Sequence, residues 1–163
     1  QGREGRGMKQ TVQMNQIQER MQPGVYTRDG FLGTDRRKLI DILLEDDEAV
    51  KRMDLTHRQI ADRMIELRDA GMRGLGEYIN VEPHYEIRVI SVRGKLPCPF
   101  GDPGIFPKTN TVVRNTRLDR EVTFTDMHIH MVGSHGFYEG KGSPFRLEPK
   151  QLAEVLDIEP IRE

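Results

Sequence analysis

The chain has 163 residues, a formal net charge of −1, one cysteine, and a composition that is 36% hydrophobic and 31% charged. That length gives one ordinary domain or two very small ones, enough chain for a core of its own, and the composition excludes a disordered or membranous chain. No apolar run approaches the ~18 residues of a membrane span, a lone cysteine excludes an internal disulfide and fits a reducing, cytoplasmic setting, and a near-neutral charge argues against a protein whose main task is gripping phosphate backbones.

Residues 1–33 read as an N-terminal arm. The opening QGREGRG resembles the remnant of a cleavable purification tag, with Met8 as a natural start, so residues 1–7 are set aside. Met14, Ile17 and Met21 at helical spacing predict a helix over 9–22, stopped by Pro23-Gly24. Such a helix either covers the chain's own core or packs on a second copy to make a homodimer. In GTDRRKLIDILLEDD, Thr34 is an N-cap residue type and Leu39, Ile40, Leu43 and Leu44 form an apolar stripe. DDEAVKRM reads as a short second helix and DLT as a turn. LTHRQIADRMIELRDAG predicts a third helix, capped by Thr56, lined by Ile60, Met64 and Leu67, and stopped at Gly71.

EYINV and HYEIRVISVR follow, joined at Glu82-Pro83; Tyr85, Ile87 and Val89 alternate with Glu86 and Arg88 as in a half-buried strand. LPCPFGDPGIFP reads as a proline-rich surface loop, with Phe100 and Phe106 available to line a pocket. NTVVRNT and EVTFT flank RLDR as a hairpin, and EPKQLAEVLDI predicts a short final helix with Leu152, Val155 and Leu156 inward. GFYEGKGS has the glycines and lysine of a phosphate loop but not their spacing or a preceding strand, so it reads as a flexible loop with Lys141 facing solvent.

From Thr34 to Arg93 the order is helix, short helix, turn, long helix, two strands, and Thr56, Ile60, Met64, Leu67, Ala70 and Gly71 fall where the third helix of winged helix-turn-helix domains has its cap, apolar face and ending. The segment resembles that family. The resemblance implies an α+β protein whose N-terminal half, residues 34–93, holds three helices and a β-hairpin. A small mixed hairpin/helix half would follow over 94–163, either separate or sharing one core with the first. It also implies groove-facing residues His57, Arg58, Gln59 and Arg63, chemically suited to guanine and adenine edges. Asp62, Glu66 and Asp69 on the same helix, and LEDDE upstream, depart from the family's basic character and oppose phosphate contact.

TDMHIHMVGSHG carries His128, His130 and His135 within eight positions. As a strand, His128 and His130 would share a face and close on one metal. DMHIH then resembles the metal motif of the amidohydrolase superfamily, whose barrel needs about 250 residues; only 33 follow His130. As a helix capped by Thr125 or Asp126, with Ile129 and Val132 inward and Gly136 as C-cap, the histidines scatter. His130-x4-His135 then has the spacing of zinc-finger helix ends, but only Cys98 is available as a thiolate. The helix is the preferred reading, with one or two histidines structural. For a transition metal such as zinc, the candidate ligands are Cys98, His128, His130 and His135, with Asp102 or His84 as further donors.

The sequence therefore predicts a non-enzymatic cytoplasmic binding or regulatory protein. Its N-terminal half would contact DNA or a protein partner, its C-terminal half would hold a ligand or metal, and no membrane is involved. The rivals are a small metal-dependent enzyme using the histidine cluster and a purely structural or protein-interaction module.

Overall fold

A computed structural model describes residues 9–161; the expectations for residues 1–7 and for Met8 lie outside them. The described residues form five α-helices, α1 (Val12–Arg20), α2 (Leu39–Arg52), α3 (His57–Gly71), α4 (Asp126–His135) and α5 (Pro149–Val155), with a 3₁₀ turn at Met72–Gly74. Four strands, β1 (Ile79–Val81), β2 (Tyr85–Pro97), β3 (Ile105–Asn115) and β4 (Arg120–Thr125), make one antiparallel sheet in the order β1-β2-β3-β4. The fold is mixed α+β, and no helix among the described residues is long and apolar enough to cross a membrane.

The period-2 pattern sets the sheet's buried face. Ile87, Val113 and Val122 sit opposite one another across three strands and all point inward. α3 crosses this face so closely that a Cβ on Gly71 would collide with the Ile87 side chain. α4 then packs on α3 at Gly133, where an added Cβ would lie 2.9 Å from the Ala61 Cβ. Thr56 caps α3 through a reciprocal box with Gln59, two otherwise unpaired N–H groups being satisfied at once.

Ile60, Met64 and Ile87 share one hydrophobic cluster with Phe124, Val132, Leu152 and Leu156, so the two sequence halves share a core. A second cluster gathers Ile17, Met21, Phe31, Leu39 and Ile42 against Met127, Met131 and Phe137 of the C-terminal half. α1 and its C-cap residue thus spend Ile17 and Met21 inside their own chain, leaving Val12 as the exposed apolar residue of the helix. β2 pairs along its length with β3, so the β1–β2 hairpin opens a four-stranded sheet and does not stand apart as a wing.

Three local expectations are corrected. The two helices expected between Thr34 and Met53 are one, α2, beginning at Leu39 without a side-chain cap. Asp35 hydrogen-bonds the Arg37 backbone and side chain, which holds this stretch out of helix. The LEDDE run does not break α2 because Asp46 is buried and takes two hydrogen bonds from Arg146, at 2.8 and 2.9 Å. The proline-rich loop is shorter than expected, since β2 extends to Pro97 and β3 starts at Ile105. The glycine-rich stretch is not a flexible loop: Phe137, Tyr138, Glu139 and Gly140 are buried. Its glycines serve close backbone packing, because a Cβ on Gly140 would strike the Leu32 backbone and one on Gly33 would strike Ser143. Lys141 is exposed, as expected, with its Nζ 3.2 Å from Glu45.

Candidate metal centre

β4 runs directly into α4, and the junction is fixed by the sequence TDMH. The Thr125 hydroxyl accepts the His128 backbone N–H at 3.1 Å, and His128 Nδ1 accepts the Thr125 N–H at 2.9 Å. Ile129 and Val132 face the core, and Gly136 ends the helix in the left-handed conformation at φ 63°. The segment is therefore a helix, and His128 is committed to its first turn.

His130 from the middle of α4 and His135 from its end come together with the tip of the β2–β3 hairpin. A register shift between Val92 and Lys95, at Gly94 with φ 114°, re-aims that tip. Cys98 and Asp102 lie in the tip loop. One ligand atom from each of Cys98, Asp102, His130 and His135 falls within 4.8 Å of all the others. His135 Nε2 is 3.8 Å from Cys98 Sγ and 2.7 Å from Asp102 Oδ2. His130 Nε2 lies 2.8 Å from the same oxygen but out of line for a hydrogen bond, and this buried nitrogen has no hydrogen-bond partner among the described residues.

Two phenylalanines set the ring planes. Phe100 stacks on His135 at 4.0 Å between centroids and 5° between planes, and Phe106 stacks on His130 at 4.4 Å. Cys98 is buried, which pushes its thiol up; the backbone N–H groups of Phe100, Asp102 and Gly101 work the other way and favour the thiolate. Burial also lowers His135, opposed by Asp102, and favours the neutral imidazole that binds metals. The hydrogen bond from His135, more than any other influence, holds the Asp102 carboxyl low.

A tetrahedral zinc with ordinary bond lengths separates its ligand atoms by roughly 3.3–3.8 Å. The Cys98–His135 edge already fits. The Asp102 edges to His130 and His135, 2.8 and 2.7 Å, are shorter and need the carboxylate to move outward by about half an ångström. One soft thiolate, two imidazoles and a carboxylate suit zinc best, then other late first-row divalent ions.

The other predicted residues lie elsewhere. His128 Nε2 donates to Glu139 Oε2 at 2.8 Å and is no part of the cluster. His84 pairs with Asp157 at 2.6 Å, beside Tyr85, whose hydroxyl burial pushes up to about 12. His57 is held between the Tyr138 hydroxyl and Asp47, and Gln59 is spent in the α3 cap. Arg63 donates to the Leu156 carbonyl, Glu66 and Tyr85. Of that four-residue set only Arg58 leaves most of its side chain in solvent, paired with Asp62 at 3.1 Å. Phe100 and Phe106 were expected only as pocket-lining residues, and their stacking on His135 and His130 depends on contacts distant in the chain; the role of Glu139 was not read from the sequence.

No family model matches the chain, and searches of curated proteins and of solved structures return no match.

Proposed function

We propose that this protein is a metal-dependent, non-enzymatic binding or regulatory protein, with zinc held by Cys98, Asp102, His130 and His135. The convergence of those four donor atoms, with the buried His130 Nε2 left without a hydrogen bond, carries the reading. Four protein ligands fill a tetrahedral site and leave no position for substrate, which is the signature of a structural metal. The ion would pin the β2–β3 tip to α4, joining the sheet to the helical layer.

The partner on this reading is a protein or small ligand before DNA. Only the order of α2, α3, β1 and β2 speaks for a winged-helix-like N-terminal half; that half has one helix fewer than expected, its hairpin belongs to the larger sheet, and His57, Gln59 and Arg63 already have intramolecular partners. A homodimer through α1 would rest on Val12 and a polar face, and is not part of the reading.

One observation favours the enzymatic rival. The Asp102 side chain is 36% exposed, so its departure would open a coordination position to water. Cobalt(II) substitution separates the two. A closed thiolate site should give strong visible bands of four-coordinate cobalt together with a near-ultraviolet sulfur-to-cobalt charge-transfer band that is lost in Cys98→Ser, whereas weak visible bands, from a five- or six-coordinate ion that has taken up water, would favour catalysis.

A further inference from the structure

Asp35, Asp46 and Glu139 carry carboxylate side chains no more than 5% exposed. Asp35 is paired with Arg37 and Asp46 with Arg146. Glu139 has no lysine or arginine partner among the described residues. Its oxygens take one hydrogen bond from His128 Nε2 and one from Ser143 Oγ, each at 2.8 Å. Because His128 Nδ1 accepts the Thr125 N–H, the ring reaches Glu139 as a neutral donor and brings no charge. A buried carboxylate left with neutral donors alone is costly. Glu139 also sits at φ 72°, a left-handed conformation that a non-glycine residue holds only when its surroundings force it.

The cost has a location. Glu139 and His128 line a half-open cavity of about 380 Å³ together with Phe31, Leu96, Phe145, Lys108 and Arg28. That size is in the range that holds small ligands. Two large apolar side chains that the fold leaves exposed, Val92 at 48% and Phe145 at 51%, both border it. Phe145 also divides it from a second cavity of about 360 Å³ that shares Asn110, Thr125 and His128.

We propose that this cavity binds a small amine with an apolar body, its ammonium seated on Glu139 and its carbon skeleton against Phe31, Leu96, Val92 and Phe145. The ammonium supplies the cation that Glu139 lacks. The spare lone pairs of its two oxygens accept the ammonium hydrogens without displacing His128 or Ser143. Lys108 at the rim suits a carboxylate on the same molecule, so an amino acid with a branched aliphatic side chain is the best-matched form.

The probes are 3-methylbutylamine, leucine and 4-methylpentanoate, titrated separately into the protein by calorimetry. The two amines should bind and the acid lacking an amine should not. Glu139→Gln, which keeps the shape and removes the charge, should weaken amine binding by about 10-fold or more, the usual size of a charge-assisted hydrogen bond. Phe145→Ala, at an exposed position, should weaken it while leaving the fold intact. The proposal is overturned if no amine binds at millimolar concentration, if the acid binds as well as the amines, or if Glu139→Gln binds them unchanged. Should Glu139→Gln not fold, the amine–acid comparison and Phe145→Ala decide the matter.

Discussion

Arg146→Met tests how the two halves of the chain are held together. Arg146 and Asp46 have side chains 7% and 4% exposed, lie 100 residues apart, and are joined by two short hydrogen bonds. Arg146 also donates to the Glu139 carbonyl at 2.6 Å and pairs with Glu148. Removing the guanidinium leaves Asp46 buried and unpaired inside α2, a loss of about 3–5 kcal/mol. Asp46→Leu is milder, about 2 kcal/mol, because Arg146 keeps Glu148 and the Glu139 carbonyl. Losing both charges together removes the unpaired ion, so the double variant should be more stable than the sum of the single losses predicts, by about 1.5–3 kcal/mol. Urea unfolding of the four proteins at saturating zinc gives the cycle. A single loss below about 1 kcal/mol for Arg146→Met, or additivity within about 0.5 kcal/mol, would refute the reasoning.

Further expectations follow from the same geometry. The Arg37 hydrogen bond beside Asp35 holds its carboxyl down from 3.8 to about 2. The folded state therefore binds this proton less readily than the unfolded state, and its contribution, about 2 kcal/mol, is present above pH ~4 and lost as pH falls toward ~2. Asp35→Asn should flatten that part of the acid unfolding curve. Gly133→Ala should destabilise by about 1–3 kcal/mol in thermal unfolding although alanine favours a helix, because its Cβ would lie 2.9 Å from that of Ala61; a stabilised variant would show that α3 and α4 do not meet closely there. Phe100→Ala removes the ring stacked on His135 and should lower zinc affinity roughly 10–100-fold in a chelator competition, with unchanged affinity counting against ring positioning by stacking.

The elements with a strong period were legible in the sequence. The α3 cap and stripe, the β2 alternation, the hairpin turn at RLDR and the final helix all depend on neighbours within a few residues, and their expected types match. What failed depended on distant partners. Nothing near Asp46 reveals that Arg146 will bury it, and one continuous helix read as two meeting within the acidic run. Nothing in GFYEGKGS reveals that its glycines press on residues 31–34, so a packed segment read as a loose one. The four donors were all among the candidates named from the sequence, but nothing local showed which of them meet. His130-x4-His135 is a local spacing, whereas Cys98 and Asp102 come to it from the tip of the β2–β3 hairpin, beyond the Gly94 bulge. His128, the nearest histidine in sequence, is taken by the helix cap and by Glu139.

The most direct test is metal stoichiometry by elemental analysis, on protein purified without metal-affinity resin, alongside His130→Ala and Asp102→Ala. Close to one zinc per chain, falling sharply in both variants, is the result expected of a Cys98–Asp102–His130–His135 centre. Metal-free protein that gains no thermal stability from added zinc, or zinc retained undiminished by both variants, would contradict it.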